Sequence, residues 1–356
     1  MSCNPRAAAF ANRVLAALAI AAAYAGAALA EPLPRLGADL AQTSVSGLSS
    51  GAYMATQFQF AHGRIVVGAG IVAGGPFACA ESADNPFVHL PGVKAAQALE
   101  ICVRGSSRWL GLPDASTLAR KATRWADDGR IDPLGTIASD RVFIFTGSED
   151  DRVATSVVDA AAALYQRIGV AEDRLQYSRN EIAAAHAFVT EAAGAACGSA
   201  GSPFLNDCDF DLAGAILKHI LGALDEPSPR PAGALALFDQ GAAGDRAGAQ
   251  GLAEQAFAYI PEVCRGRRGC RVHVAFHGCR QSREFVGDAF ATQAGFNRWA
   301  DANELVILYP QTGKSGANPL GCWDWWGYTG AAYYAKKAPQ IAAVRAMLDR
   351  LAEAPE

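Results

Sequence analysis

A serine flanked by glycines, in the segment Gly47-Leu48-Ser49-Ser50-Gly51, is the residue pattern best suited to covalent chemistry in this chain. The pattern G-x-S-x-G is typical of a sharp strand-to-helix turn that presents the serine hydroxyl at the tip of a sheet. Glycines are needed at both ends because the turn brings neighbouring backbones too close for Cβ atoms. We therefore expect Ser49 to be a nucleophile and the Ser50 N–H to point at a developing oxyanion. The alternative is a glycine- and serine-rich loop without a catalytic role.

A serine nucleophile also needs a histidine base and an acid that orients the histidine. The acidic loop 147–153 follows an apolar run typical of a buried strand, and His186 lies farther along the chain. The order serine, acid, histidine is that of the α/β-hydrolases. Each feature also has a structural interpretation, since acids after a strand often cap the next helix and a single histidine is more often structural than catalytic. Their order favours the catalytic interpretation.

A second oxyanion donor is indicated by the turn His277-Gly278, which follows the predicted strand 271–276. In α/β-hydrolases such a turn ends a core strand that precedes the nucleophile, whereas here it lies far behind Ser49. A circular permutation explains this order, because it moves the front half of a hydrolase sheet to the end of the chain. The proline-rich segment 225–233 then joins the original termini; the alternative is that it separates two domains.

Hydrophobic periodicity predicts the elements that position these residues. Short apolar runs indicate buried strands, and longer runs with a 3.6-residue period indicate helices. The predicted strands are residues 39–45, 65–73, 141–145, 174–177, 234–238, 256–260, 271–276 and 304–311. The predicted helices are residues 52–61, 116–126, 153–168, 212–224 and 284–302. This alternation favours an α/β fold with a mostly parallel sheet flanked by helices.

Two other patterns resemble binding motifs but lack the required context. Residues 68–73 match the dinucleotide pattern G-x-G-x-x-A, which needs a helix at the glycines, and Gly74-Gly75-Pro76 prevents one. Residues 206–211 resemble the start of a calcium loop, but Leu212 replaces its glycine and Lys218 its glutamate. We interpret them as the cap of the next helix.

Residues 1–30 have the composition of a secretory signal peptide. A basic start precedes an apolar stretch at residues 14–25, and Ala28-Leu29-Ala30 is a cleavage-site pattern. A retained membrane anchor is the alternative, although the apolar stretch is short and rich in alanine. We expect residues 31–356 to form a single catalytic domain that is secreted, extracellular or periplasmic, and monomeric, with no stable membrane anchor.

The cysteines and the net charge agree with an exported protein. Removing Cys3 leaves eight of the nine cysteines, an even number that suits disulfides; a zinc site is the alternative, but no paired Cys/His spacing is present. Proximity along the chain suggests the pairs Cys79–Cys102, Cys197–Cys208 and Cys264–Cys270, which leaves Cys279 with Cys322. The net charge of −4 and the lack of a basic run argue against nucleic acid as a partner.

The segment 321–328 contains three of the six tryptophans. Rings at this density can form part of a core, but beside a glycine-rich loop they are better suited to lining a cleft for an apolar or ring-bearing substrate. We therefore predict substrate contacts for Trp323, Trp325, Trp326 and Tyr328.

Together, these motifs resemble those of the extracellular short-chain-length polyhydroxyalkanoate (poly(3-hydroxybutyrate)) depolymerases, whose catalytic domain is a circularly permuted α/β-hydrolase. The resemblance runs from about residue 45 to residue 341. It rests on the segments 47–54, 147–153, 186–188, 203–208, 277–281 and 321–328.

The resemblance implies a role for each catalytic position. Ser49 would be the nucleophile, Asp150 the acid and His186 the general base, and the backbone N–H groups of Ser50 and Cys279 would form the oxyanion hole. Asp150 is preferred to its neighbour Asp151 because it fits the spacing G-x-x-D-x-x-V.

The implied reaction is hydrolysis of ester bonds in poly(3-hydroxybutyrate) or its oligomers through an acyl-enzyme, with no metal or cofactor. Many depolymerases that attack crystalline polymer carry a linker and a substrate-binding domain after the catalytic domain, and we expect neither before Glu356. Solid polymer, amorphous polymer and soluble oligomers thus remain alternative substrates. The His-Gly-Cys and tryptophan segments also resemble feruloyl and acetyl-xylan esterases, whose motif order is usually unpermuted. A non-catalytic module that binds polymer or glycan is a further alternative, against which the full set of catalytic positions argues.

Overall fold

Strands and helices alternate through the residues described by the structure, a computed structural model, which are 31–82, 92–105, 113–243 and 250–355. The predicted signal peptide lies outside these residues. The strands are β1 Glu31–Pro32, β2 Asp39–Leu48, β3 Val66–Val72, β4 Arg141–Thr146, β5 Leu175–Arg179, β6 Phe188–Thr190, β7 Ala195–Ala196, β8 Leu205–Asp207, β9 Ala234–Asp239, β10 Gln255–Ile260, β11 Arg271–Phe276 and β12 Leu305–Tyr309.

The α-helices flank these strands and vary widely in length. They are α1 Ser50–Ala61, α2 Val93–Leu99, α3 Ala115–Asp127, α4 Leu134–Ala138, α5 Thr155–Arg167, α6 Leu212–Leu221, α7 Gln240–Ala243, α8 Glu262–Gly266, α9 Arg283–Val286, α10 Ala289–Gln293, α11 Phe296–Ala302 and α12 Pro339–Ala352. Short helical turns of other types lie at Cys79–Glu81, Glu100–Arg104 and Glu172–Arg174.

Nine of the strands form a central sheet in the order β1-β9-β10-β12-β11-β2-β3-β4-β5. Neighbouring strands are parallel, except that β10 runs antiparallel to both β9 and β12. Consecutive residues of β4 alternate between two apolar clusters, Val142 and Ile144 in one and Phe143 and Phe145 in the other. A strand with helices on both faces requires this two-residue alternation of apolar side chains. The predicted mostly parallel α/β fold is thereby confirmed.

The strand order also supports the circular permutation. β11, which carries the His-Gly turn, lies beside β2 and parallel to it, with Phe276 opposite Gly47. Residues 225–233 lead from α6, which packs on β3 and β4, to β9 near the other edge of the sheet. The sheet thus combines strands from before and after this segment, as a permuted hydrolase requires.

Two predicted helix boundaries are wrong. Residues 284–302 form three short helices rather than one, because Gly287 and Gly295 adopt φ angles of 65° and 93°. A left-handed residue ends a right-handed helix even where the apolar periodicity continues. The helix predicted to reach residue 224 ends at Leu221 for the same reason, since Gly222 has a φ of 83°.

Four disulfide bonds link loops around the sheet. The pairs are Cys79–Cys102, Cys197–Cys208, Cys264–Cys270 and Cys279–Cys322, the same pairs that proximity along the chain suggests. The last of them ties the His-Gly turn to the tryptophan-rich segment. Over the described ranges, no helix has the length and hydropathy needed to cross a bilayer.

Candidate active site

Ser49 lies between β2 and α1 in a strained turn. Its φ of 57° and ψ of −118° fall in a region that non-glycine residues rarely occupy. Both flanking glycines are required: a Cβ at Gly47 would lie 2.3 Å from the Gly51 carbonyl carbon, and one at Gly51 would lie 2.3 Å from the Phe276 oxygen. Because α1 begins at Ser50, the N–H of Ser50 belongs to the first helical turn, where intrahelical acceptors are lacking. This is the strand–turn–helix geometry that the G-x-S-x-G pattern predicts.

Asp150 and His186 form a hydrogen-bonded pair. The Asp150 Oδ2 lies 2.8 Å from the His186 Nδ1, and the two side chains are 2% and 10% exposed. The other carboxylate oxygen accepts the backbone N–H groups of Arg152 and Val153 at 2.9 and 3.0 Å. These bonds fix the carboxylate, and the carboxylate in turn orients the imidazole ring. The Nε2 of His186 is therefore the ring nitrogen left for proton transfer.

The neighbouring acid, Asp151, occupies a different environment. Its side chain is 66% exposed and pairs with Arg152 at 3.2 Å. Gly147 brings the acidic loop close to the segment before His186, because a Cβ there would lie 2.1 Å from the Ala184 oxygen. The structure therefore places Asp150, and not Asp151, against the histidine.

The turn after β11 is held by the side chain of His277. Its Nδ1 donates to the Gly278 oxygen at 2.7 Å, since a carbonyl can only accept, and its Nε2 accepts the Thr312 N–H at 3.2 Å. Burial lowers the pKa of His277 to about 4, so the ring is neutral at neutral pH. The Gly278 carbonyl and the Cys279 N–H share one planar trans peptide and point in opposite directions. Holding the carbonyl against His277 therefore turns the Cys279 N–H the other way.

Gln281 supports the same turn from its other side. Its Oε1 accepts the Gly278 N–H at 2.8 Å, and its Nε2 donates to the carbonyl oxygens of Pro203 and Phe204 at 3.0 and 2.9 Å. Within the described part of the chain, no group accepts the Cys279 N–H. The sequence predicts the turn but not these two supports, although the His-Gly pattern itself was a signal for His277.

Ser49, Ser50, His186 and Cys279 line one cavity of about 620 Å³. This volume is typical of small-molecule sites. The rest of the described lining is mainly apolar and includes Tyr53, Leu99, Phe204, Phe285, Trp325 and Trp326. The structure thus brings the predicted nucleophile, base and oxyanion donors together at one apolar cavity, with Asp150 directly behind His186.

Only two of the four aromatic residues predicted to contact substrate line this cavity. Trp325 stacks on Tyr53 at 5.2 Å between ring centroids, and Trp326 lies beside it. Trp323 is fully buried and packs edge-on against Phe276. Tyr328 donates its hydroxyl to the Cys322 oxygen at 2.8 Å. The structure therefore gives Trp323 and Tyr328 supporting positions behind the cavity wall, away from the substrate contact predicted for them.

A buried carboxylate that the sequence analysis missed organises the tryptophan-rich segment. The Asp324 Oδ1 accepts the N–H groups of Gly327 and Tyr328 at 2.6 and 3.0 Å. Its Oδ2 accepts the N–H and the hydroxyl of Thr329 at 2.8 and 2.7 Å. Burial raises the pKa of Asp324, and these hydrogen bonds oppose the increase. An aspartate three residues before a glycine is typical of such turns, and this was the available signal.

His273 lies on β11, four residues before His277, and has a structural environment. Its two ring nitrogens lie 2.8 Å from the hydroxyls of Ser44 and Ser46. Burial lowers its pKa to about 3. His273 therefore links β11 to β2 as a neutral ring. Through the described ranges, no three histidine, cysteine or acidic side chains converge as metal ligands would.

Comparison with known proteins gives two similar relatives. A poly(3-hydroxybutyrate) depolymerase of Delftia acidovorans is 40% identical over 347 residues, which are 93% of this chain and 66% of that protein. This chain thus spans slightly less than two thirds of the length of that relative. A polyhydroxybutyrate depolymerase of Talaromyces funiculosus is 32% identical over 334 residues, 89% of each chain. No protein-family model matches.

Two solved structures share the fold. One is a PHB depolymerase from Penicillium funiculosum, with 30% identity and a TM-score of 0.78. The other is a serine-to-alanine variant of a PHB depolymerase complexed with an R3HB trimer, with 29% identity and a TM-score of 0.78. Each comparison covers 90% of this chain and 98% of the other. Because the Talaromyces relative is 32% identical over 89% of its length, this chain belongs to the polyhydroxybutyrate depolymerase family.

Proposed function

We propose that this chain hydrolyses the ester bonds of poly(3-hydroxybutyrate) or its oligomers through an acyl-enzyme on Ser49. One observation carries the proposal: Ser49, Cys279 and His186 line a single apolar cavity, and His186 is hydrogen-bonded to Asp150. The names of the relatives and the R3HB trimer in a similar structure support the choice of substrate.

The first step forms the acyl-enzyme. The His186 Nε2 removes the hydroxyl proton of Ser49 as its oxygen attacks the ester carbonyl, and the resulting imidazolium is stabilised by the Asp150 carboxylate. Negative charge develops on the carbonyl oxygen of the tetrahedral intermediate. The N–H groups of Ser50 and Cys279 stabilise this charge, and losing one such donor typically costs about 3–4 kcal/mol of barrier.

Collapse of the tetrahedral intermediate expels the alcohol half of the ester. His186 returns its proton to the departing alkoxide, so a neutral hydroxyl end leaves. In the second half-reaction His186 removes a proton from water, and the resulting hydroxide attacks the acyl-Ser49 carbonyl. Collapse of this second intermediate releases the carboxylic acid, and the serine recovers its proton from His186. The cycle uses no metal or cofactor.

We further propose that residues 31–356 act as one secreted, monomeric catalytic domain after removal of residues 1–30. The four disulfides support an oxidising compartment. A sheet built from strands on both sides of residues 225–233 supports one catalytic unit.

The test is product release by the full-length secreted protein. Wild type and the Ser49→Ala variant are incubated with the 3-hydroxybutyrate trimer, amorphous polymer, a feruloyl ester and acetylated xylan. The proposal predicts release of 3-hydroxybutyrate or its dimer by wild type and none by the variant. Release of ferulate or acetate in place of 3-hydroxybutyrate would refute the substrate, and it would assign the same catalytic residues to a carbohydrate esterase.

A further inference from the structure

The oxyanion turn carries an arginine that ester hydrolysis itself does not require. Arg280 follows Cys279 directly, is exposed, and lines the cavity with the oxyanion donors. Its guanidinium has no carboxylate partner within the described part of the chain. Because it directly follows one of the proposed oxyanion donors, a positive charge lies close to the reacting ester.

The described lining of the cavity is positively charged. Arg152 and Arg280 both belong to it, and no aspartate or glutamate does. Arg152 already pairs with Asp151, with the guanidinium Nε 3.2 Å from the carboxylate. A ligand can therefore pair with the Arg280 guanidinium without displacing a carboxylate that is already bound to it. A cavity of this charge favours an anionic group on an otherwise apolar ligand.

The backbone at this position is also strained. Arg280 has a φ of 57°, a conformation that glycine or asparagine adopts at lower cost. It is held there because its N–H donates to the Leu320 oxygen at 2.8 Å and its neighbour Cys279 is bonded to Cys322. Residues in such sparsely populated backbone conformations cluster at active sites and ligand clamps.

We propose that Arg280 binds the free carboxylate at the acid end of a 3-hydroxybutyrate oligomer. This proposal rests on the proposed function and adds to it a preference for oligomers that end in a free acid. A planar guanidinium matches a carboxylate through two parallel hydrogen bonds. No such group is present in the interior of the polyester, so this contact distinguishes chain ends from chain interiors.

The chemistry of the oligomer sets the orientation of this contact. Each oligomer has one carboxylate, which always lies on the alcohol side of every ester bond in the chain. Arg280 therefore holds the leaving half of the substrate, and the ester at Ser49 is selected by its distance from the acid end. Cleavage of a trimer acid at either ester gives one monomer and one dimer, so the selected ester is identified by which of the two products retains the original acid end.

The experiment compares the trimer as its free acid with the same trimer as its methyl ester. kcat/KM is measured for both forms at low ionic strength with wild type and Arg280→Gln. Arg152→Gln serves as a comparison inside the cavity, and Arg120→Gln, on the exposed surface of α3, as a comparison outside it. A trimer acid labelled isotopically in its acid-end unit shows, for each protein, whether that unit is released as monomer or within the dimer.

We expect wild type to prefer the free acid about fivefold in kcat/KM, the upper end for an exposed ion pair. In Arg280→Gln this preference falls to about one, and the first cleavage of the trimer acid becomes less selective. Arg152→Gln and Arg120→Gln keep most of the preference. In wild type the preference weakens as salt is added, because exposed charges are screened.

An equal acid-to-ester ratio in wild type and Arg280→Gln would overturn the proposal while leaving the depolymerase function intact. An equal loss in Arg152→Gln would also overturn it, because the general charge of the cavity would then be responsible. If wild type cleaved amorphous polymer but neither form of the trimer, this inference would fail while the proposed function stood. If wild type cleaved neither the trimer nor the polymer, both would fail.

Discussion

Replacing His277 tests how the proposed second oxyanion donor, the Cys279 N–H, is positioned. The His277→Leu substitution removes the Nδ1–H that holds the Gly278 carbonyl and the Nε2 that accepts the Thr312 N–H. The peptide between Gly278 and Cys279 is then free to rotate about its remaining supports. Its N–H would leave the position in which the oxyanion develops.

The size of the effect follows from what still holds the turn. Complete loss of one oxyanion donor typically lowers kcat by about 10²–10³-fold. The Cys279–Cys322 disulfide and the Gln281 hydrogen bond remain, so we expect a smaller loss of about 30-fold, or ~2 kcal/mol. KM should change little, because the donor acts mainly on the transition state. His277→Asn should restore part of the loss, because its amide can donate to the same carbonyl.

The assay is steady-state hydrolysis of the 3-hydroxybutyrate trimer, with thermal unfolding measured on every variant. His273→Leu is the matched control, because His273 is also a buried neutral histidine on β11 but contacts Ser44 and Ser46 in place of the turn. Both leucine variants should lose stability, since each leaves buried polar groups without partners at about 1–3 kcal/mol each. Only His277→Leu should lose most of its kcat. An unchanged kcat in His277→Leu, or an equal loss in the His273 variant, would refute the reasoning.

Two further predictions concern buried carboxylates. In Asp324→Asn, an NH₂ group replaces one of the two carboxylate oxygens that accept the Gly327 and Thr329 N–H groups, so the wall carrying Trp325 and Trp326 should loosen. KM for the trimer should then rise about tenfold (~1.4 kcal/mol). Thr329→Val is the control, and a KM that is unchanged in Asp324→Asn would contradict this prediction. Burial raises the pKa of Asp140 to about 7, so the folded state keeps a proton that the unfolded state releases near pH 4. Because the folded state binds more protons between pH 4 and pH 7, the free energy of unfolding falls as pH rises through this range. Asp140→Asn removes that titration: its stability relative to wild type should increase by about 2–3 kcal/mol between pH 5 and pH 8 in denaturant unfolding, and an equal difference at both pH values would contradict the assignment.

The sheet and its central turn could be predicted from the sequence because their signals are local. Parallel strands buried on both faces appear as short apolar runs. The elbow needs Gly47 because a Cβ there would meet Gly51 four residues later, whereas Gly51 is required by the Phe276 oxygen of β11. The helix 284–302 could not be resolved correctly, because its apolar period continues through Gly287 and Gly295. Only their left-handed backbone, which glycine allows but does not dictate, divides it into three helices.

The site was predictable to the extent that its residues belong to motifs. Asp150 is hydrogen-bonded to His186, and His186 lines the same cavity as Ser49, but the supports of the turn do not form a motif of their own. Gln281 reaches two carbonyl groups far away in sequence, and His277 acts through the orientation of a single peptide. Trp323 and Trp325 are equally apolar in the sequence; only the packing of the segment decides that one is buried in the core and the other lines the cavity.

The central claim is that Ser49 carries the acyl group during hydrolysis of a 3-hydroxybutyrate ester. The most direct measurement is mass spectrometry of the protein quenched in acid during turnover of the trimer, followed by mapping of the modified peptide. We expect a 3-hydroxybutyryl adduct on the peptide that contains Ser49, and its absence in Ser49→Ala. An adduct on another residue, or trimer hydrolysis by Ser49→Ala at the wild-type rate, would contradict the assignment of the nucleophile.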